Sequence, residues 1–261
     1  MSQNTQFLHY QWQNAEKTIS SAPTMVLLHG LFGDLNNLGV IARAFAQDYP
    51  VLKIDLRNHG HSFHSHEMNY ADMAQDVITL LDQLSVRDVI LVGHSMGGKT
   101  AMAAAERLGS RVKQLIVLDI APVAYGHNGH DDVFNALFAV QKAMPATRQE
   151  AKPILQQHIQ AEGVQQFMLK SFDASSPDRF LFNLTALYQN YDNIMSWQPL
   201  HISVPTLFIR GGRSQYVADH YLAAIHAQFS AAKIVTIDDT AHWLHAEKPS
   251  AVIEAIRAFL A

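Results

Sequence analysis

Short apolar runs alternate with amphipathic stretches through the first 120 residues of the chain. Thr24–Leu28 (TMVLL), Val51–Asp55 (VLKID), Asp88–Gly93 (DVILVG) and Val112–Leu118 (VKQLIVL) are runs of the length and β-branched content expected of strands. Between them, helices are expected over Asn37–Gln47, Asn69–Leu84 and Met96–Leu108. In the second, Asn69 is placed as N-cap, and Met73, Val77, Leu80, Leu81 and Leu84 fall on one face. Gly109 follows the third as a left-handed cap. Strands without polar alternation are buried on both faces, which calls for a parallel sheet with helices on each side.

The pattern changes at Ala121. From there to Leu200 the chain reads as helical, with no convincing strand. Asp132–Ala143 carries Val133, Phe134, Leu137, Phe138 and Val140. Thr147 with Glu150 has the spacing of a capping box, and Pro153 is expected to kink or restart that helix. Pro177–Tyr188 is expected to be helical from a first-turn proline. Strand and helix alternate again over Thr206–Arg210, Ala218–Gln228, Lys233–Ile237 and Pro249–Leu260. The expected organisation is one α/β core, residues 1–120 and 201–261, with residues 121–200 inserted as a helical lid.

Composition narrows the function classes. A chain of 261 residues needs no covalent staple for its core, since about three quarters of its unfolded surface can be buried. A formal net charge of -4 offers no general attraction to nucleic acid or anionic membranes. With no cysteine, disulfides, thiolate zinc sites and cysteine nucleophiles are excluded. Met1–Gln6 lacks the charged-then-apolar pattern of a signal peptide, and no apolar run is long enough to span a bilayer, so a cytoplasmic protein is expected.

Three segments carry candidate chemistry. Gly93-His94-Ser95-Met96-Gly97-Gly98 has the form G-x-S-x-G between an expected strand and helix. A serine at that sharp turn is raised above the sheet edge, and the following helix N-terminus favours developing negative charge there. Leu28-His29-Gly30-Leu31-Phe32-Gly33 follows an earlier strand. An acyl-transfer site of this kind draws two oxyanion N–H donors, one from the residue after the nucleophile, here Met96, and one from such a glycine-bearing loop. Leu31 is the choice for the second and Phe32 the runner-up, with His29 read as a loop brace. Ala241-His242-Trp243-Leu244-His245 follows the last strand, where the base falls in the chain order Ser…Asp…His. His242 is preferred to His245 because it is nearer the strand end.

These motifs, together with Asp55-Leu56-Arg57-Asn58-His59-Gly60-His61-Ser62, resemble the α/β-hydrolase superfamily. The forms HGLFG, DLRNHGHS, GHSMGGK and AHWLHAEKP are most similar to ybfF-type esterases. The resemblance spans nearly the whole chain and implies an eight-stranded, mostly parallel sheet and hydrolysis of carboxylic esters. One departure bears on the acid. The superfamily commonly places Asp in the loop after the strand that follows the lid, and here that slot holds Ser214. A serine cannot supply the charge that steadies an imidazolium. Asp119, at the end of the strand after the nucleophile helix, is the best replacement, with Ser214 as a helper; Asp219, Asp238 and Asp239 are the alternatives.

The expected reaction is hydrolysis of small to medium acyl esters through an acyl-enzyme on Ser95. Thioester hydrolysis, carbon–carbon cleavage or lyase chemistry, and a non-catalytic ligand-binding module are the competing readings. No cofactor and no metal are expected, because His59, His61, His64 and His66 lack the Asp-His partner spacing of a dinuclear site. Arg57, Lys99, Arg210 and Arg213 are weighed as contacts for an anionic substrate portion and, with somewhat more weight, as bracing cations. Phe134, Phe138, Phe172, Phe180 and Tyr188 are weighed as acyl-pocket lining and, with more weight, as lid core. The expected partner is a small-molecule acyl ester or thioester, with neither nucleic acid nor membrane.

Overall fold

The computed structural model describes residues 7–13, 22–126 and 129–261; Met1–Gln6, where a signal peptide is not expected, lies outside them. In chain order the elements are β1 (Tyr10–Gln13), β2 (Thr24–Leu28), α1 (Gly39–Phe45), β3 (Val51–Ile54), α2 (Tyr70–Gln83), β4 (Val89–His94), α3 (Met96–Leu108) and β5 (Val112–Leu118). Five helices follow: α4 (Asp131–Ala143), α5 (Arg148–Gln156), α6 (Glu162–Lys170), α7 (Leu184–Gln189) and α8 (Tyr191–Met195). The chain closes with β6 (Thr206–Gly211), α9 (Leu222–Gln228), β7 (Ala232–Ile237), α10 (Leu244–Glu247) and α11 (Pro249–Leu260).

The strands form one sheet in the order β1-β3-β2-β4-β5-β6-β7. Only β1 runs antiparallel, pairing Tyr10–Gln13 with Ile54–Val51 at the edge. The described residues therefore contain seven strands rather than the eight implied by the resemblance. The apolar runs are buried on both faces by alternation. Met25 and Leu27 of β2 pack with α1 and α11, while Val26 and Leu28 pack with α2 and α3. Asn69 caps α2 as expected, its side chain accepting from the Asp72 N–H at 2.9 Å.

Sheet order reverses between β2 and β4, so the loops after them diverge and open a crevice at the carboxyl ends of the strands. Leu31 follows β2, Ser95 follows β4, Asp119 follows β5, Ser214 follows β6 and His242 follows β7. All five strand ends that carry candidate residues thus meet one rim, and the α4–α8 insertion lies between β5 and β6.

Four local expectations need correction. Residues 177–183 are not helical. Phe180 and Phe182 are both buried and form bridges to Phe172 and His59, so long-range pairing outweighs the first-turn proline and α7 starts only after the Asn183 cap. Pro153 does not restart α5, which runs through it. The carbonyl it leaves without a partner, four residues back on Gln149, is on an exposed residue where water can serve it. The Ala218–Gln228 helix begins as a short 3₁₀ turn at Asp219–Tyr221. Gly109 has a positive φ of 55°, but its ψ of -122° lies outside the left-handed helical region.

Candidate active site

Ser95 follows β4 and caps α3 with φ 53° and ψ -121°, the dihedrals that Gly109 adopts without a Cβ. For a serine this backbone is strained, and its surroundings hold it there. The Ser95 N–H donates to the Leu118 carbonyl at 3.0 Å, while its carbonyl accepts from Gly98 and Lys99 N–H. A Cβ on Gly93 would stand 2.2 Å from the Gly97 carbonyl oxygen, and one on Gly97 would stand 2.3 Å from that of Leu28. The turn closes only with glycine at both places.

The Ser95 hydroxyl meets His242 Nε2 at 3.0 Å. His242 Nδ1 meets Asp119 Oδ2 at 2.8 Å. Asp119 is wholly buried, also at positive φ (51°), with its N–H donating to the Ile209 carbonyl. Its Oδ1 accepts from the Gly211 N–H at 2.9 Å, and its Oδ2 also accepts a short bond from the Ser214 hydroxyl. Ser214 Oγ in turn accepts the Tyr216 N–H at 3.2 Å, and the Tyr216 ring lies against the His242 imidazole with centroids 4.1 Å apart. Four side chains singled out from the sequence, Ser95, His242, Asp119 and Ser214, are therefore one contiguous hydrogen-bonded chain. The alternative carboxylates lie elsewhere: Asp219 pairs with Arg210 at 2.6 Å, the exposed Asp239 stands 3.7 Å from the Lys248 ammonium, and that ammonium donates to the backbone carbonyl of Asp238.

Leu31 and Met96 line the space in front of Ser95. Met96 is the first residue of α3, where an N–H has no intrahelical acceptor. The Phe32 N–H is already spent on His59 Nε2 at 3.2 Å. His29 braces that loop, giving Nδ1–H to the Gly30 carbonyl and accepting the Leu56 N–H at Nε2; burial lowers its pKa.

Histidines crowd the base. His94 Nε2–H donates to the His242 carbonyl at 2.9 Å, and its ring stands 4.7 Å from that of His242. Burial pushes His94 well below the ordinary imidazole range, and pushes His245 to about 3 and His130 to about 4, with His242 adding repulsion in each case. These neighbours stay neutral and add no competing positive charge.

A cavity of roughly 230 Å³ opens above Ser95 and His242. Its walls are mostly apolar: Val133 of α4, Val164, Phe167 and Met168 of α6, and Trp243. None of the five aromatics weighed as acyl-pocket lining reaches it; Phe134, Phe172 and Phe180 are buried within the insertion and Tyr188 is exposed. The α6 residues escaped the sequence reading, although Val164, Phe167 and Met168 have the i, i+3, i+4 spacing of one helical face. The cations weighed for substrate are otherwise engaged. Arg57 holds Asp76 at 2.6 Å, Arg210 holds Asp219, and Arg213 reaches Glu247. Lys99 alone among them lines a cavity beside Ser95.

A doubly wound sheet carrying a serine elbow, a histidine after the last strand and a helical insertion over the crevice defines an α/β hydrolase. The chain belongs to that family: its model, described as alpha/beta hydrolase fold, matches residues 23–249. A Haemophilus influenzae protein bearing the provisional name esterase/lipase is 54% identical, the match covering 97% of this chain and 88% of the relative. Esterase YbfF of Escherichia coli is 42% identical over 97% of this chain and 98% of its own. A solved structure described as a marine microorganism esterase superposes with a TM-score of 0.90 at 33% identity, covering 98% of this chain and all of that one. This is a carboxylic ester hydrolase of the ybfF type. No helix among the described residues is long and apolar enough to cross a membrane.

Proposed function

We propose that the protein hydrolyses esters of small to medium acyl groups through a covalent acyl-enzyme on Ser95. The observation that carries this reading is the continuous contact from Ser95 Oγ through His242 to Asp119 Oδ2, at 3.0 Å and 2.8 Å. Ser95 Oγ attacks the ester carbonyl carbon while His242 Nε2 takes its proton. The tetrahedral oxyanion is met by the N–H groups of Leu31 and Met96. As the intermediate collapses, His242 returns the proton to the departing alcohol oxygen. Water, deprotonated by the same nitrogen, then releases the acid.

Asp119 acts on His242 rather than on substrate. It accepts Nδ1–H, so Nε2 presents its lone pair to Ser95, and its charge steadies the imidazolium. Ser214 steadies Asp119, filling the slot where the superfamily commonly has the acid itself. Residues 121–200 act as a lid over a core formed by 1–120 and 201–261, since α4 and α6 supply the cavity wall facing Ser95. Ester rather than thioester cleavage is supported by the names of the relatives.

The test is hydrolysis of p-nitrophenyl esters of graded acyl length by the wild type and Ser95→Ala, with fluorophosphonate labelling alongside. Turnover and labelling in the wild type, both lost in Ser95→Ala, are expected. Labelling that persists in Ser95→Ala refutes Ser95 as the nucleophile.

A further inference from the structure

Ser95 and His242 come from strands that are not neighbours. Ser95 follows β4 and His242 follows β7, with β5 and β6 between them in the sheet. Given the serine-esterase reading above, on which this argument rests, their Oγ–Nε2 contact must break in every turnover, because an acylated Ser95 has no hydroxyl to give. His242 must nonetheless stay in place, since the same nitrogen then deprotonates the water. Asp119 holds the ring at Nδ1 alone. A side chain held at one ring nitrogen still moves with its main chain, so the backbone of residue 242 has to be fixed as well. Misplacing a catalytic group by about 1 Å can cost about 10²-fold in rate.

That backbone makes one hydrogen bond among the described residues, and its donor is the residue before the nucleophile. His94 Nε2–H reaches the His242 carbonyl at 2.9 Å. The flanking residues are tied elsewhere. The Thr240 carbonyl accepts the Arg213 N–H, the Ala241 N–H donates to the Glu247 carboxylate, and the Trp243 carbonyl accepts the N–H groups of Ala246 and Glu247. None of these partners belongs to β4 or to the serine turn. The His94 ring is itself fixed from several sides. It is 4% exposed, its centroid stands 4.7 Å from that of His242 and 4.5 Å from that of His245, and its Nδ1 lies 3.0 Å from where a Cβ on Gly30 would stand. A carbonyl only accepts, so Nε2 carries the proton. Burial keeps the ring neutral, and this tautomer therefore persists through the pH range in which an ordinary imidazole titrates.

We propose that His94 is a positioning residue of the reaction: its Nε2–H ties the main chain of His242 to the serine turn and keeps the base in register with Ser95 after their own contact has broken. The tie joins the two ends directly, without passing through β5 and β6. His94 acts through His242, and two substitutions separate its hydrogen bond from its packing. Phenylalanine keeps a buried ring of similar shape and loses the donor. Glutamine has its amide nitrogen as many bonds from Cβ as the imidazole Nε2, so it keeps a donor within reach and loses the ring.

The experiment measures kcat and KM for p-nitrophenyl butyrate in the wild type, His94→Phe and His94→Gln, each per site titrated to completion with a fluorophosphonate. In His94→Phe, kcat per titrated site is expected to fall at least tenfold, with KM within threefold of wild type. His94→Gln should recover at least fivefold of that loss. A kcat per titrated site that His94→Phe leaves unchanged overturns the proposal, even where fewer sites titrate, because a purely structural residue lowers only the number of competent molecules. Equal losses in the two variants overturn it as well, since packing rather than the hydrogen bond then carries the effect. Should either variant fail to fold, histidine ¹⁵N spectra of the wild type decide. His94 must show the Nε2–H tautomer at pH 7 and keep it once the fluorophosphonate has modified Ser95; an Nδ1–H tautomer, or exchange of the Nε2–H on modification, overturns the proposal. Wild-type behaviour separates the two levels. If the wild type turns over the ester and His94→Phe matches it per site, only the role of His94 falls; if the wild type neither hydrolyses the ester nor labels, the esterase reading falls first and takes this role with it.

Discussion

Replacing Asp119 with Asn exchanges one oxygen for an NH₂ group at the most buried point of the site, and the structure dictates which oxygen. Oδ1 faces the Gly211 N–H at 2.9 Å, so an amide nitrogen there would set donor against donor with no water to intervene. That arrangement leaves two buried donors unsatisfied, at about 1–3 kcal/mol each. At Oδ2 the amide faces His242 Nδ1 and the Ser214 hydroxyl, and both can adapt. The imidazole moves its proton to Nε2, and the hydroxyl rotates to accept. The second arrangement is therefore adopted, and it leaves Nε2 protonated and unable to take the Ser95 proton. Loss of the carboxylate charge adds to the deficit. We expect kcat/KM on p-nitrophenyl butyrate to fall about 10⁴-fold, equivalent to about 5 kcal/mol of transition-state stabilisation. The thermal midpoint should shift by only a few degrees, because the adapted network keeps its bonds. The assay is ester hydrolysis with active-site titration by fluorophosphonate, so that folded but slow enzyme is distinguished from lost protein. Activity within tenfold of wild type would refute Asp119 as the acid and send the search to Asp219, Asp238 and Asp239.

Other expectations follow from the same geometry. Ser214→Ala removes one bond to a charged acceptor, with about 1.5–3 kcal/mol at stake, so kcat should drop roughly 10–100-fold, well short of Asp119→Asn; steady-state kinetics with KM separated from kcat checks it. Gly97→Ala places a Cβ 2.3 Å from the Leu28 carbonyl oxygen and should yield insoluble or strongly destabilised protein. Gly163→Ala, in α6 with nothing within 4 Å of the new Cβ, should raise stability by about 0.5–1 kcal/mol in urea unfolding. His59 and His245 are held neutral by burial, with pKa values of about 3. Unfolded, each binds a proton below its ordinary value near 6.5, so the unfolded state gains protons first as pH falls. Their contribution to stability is full above pH 6.5 and is lost progressively toward about pH 3. The urea midpoint should fall between pH 7 and pH 5, and an unchanged midpoint would contradict the burial of these rings.

Much of this protein is legible along the chain because the signals are local. A buried parallel strand must be apolar on both faces, which is why Met25–Leu28 and Ile90–Val92 announce themselves as runs. The serine turn is legible because its glycines are demanded by atoms within a few residues, Gly93 against Gly97. Asp119 stands out in the sequence through a gap: serine at 214 cannot carry charge, and only a few carboxylates lie at other strand ends, of which the structure brings Asp119 to His242 at 2.8 Å. Tertiary contact decided the rest. The bridge from Phe182 to His59 overrode the expected helix at 177–183 across more than a hundred residues. The edge strand β1 exists through its pairing with β3, and its sequence, Tyr10-Gln11-Trp12-Gln13, has no apolar run. Tyr216 meets His242, and α6 rather than the singled-out aromatics walls the cavity, because the insertion folds back over the crevice. Lys99 reads as one more cation in the sequence; only the packing of α2, α3 and the segments around Tyr125 and Trp197 buries it beside Ser95, against three ring faces and with no carboxylate partner among the described residues. Periodicity and turn chemistry are properties of neighbours along the chain, whereas the surroundings of a side chain are set by segments that meet only once the sheet has formed.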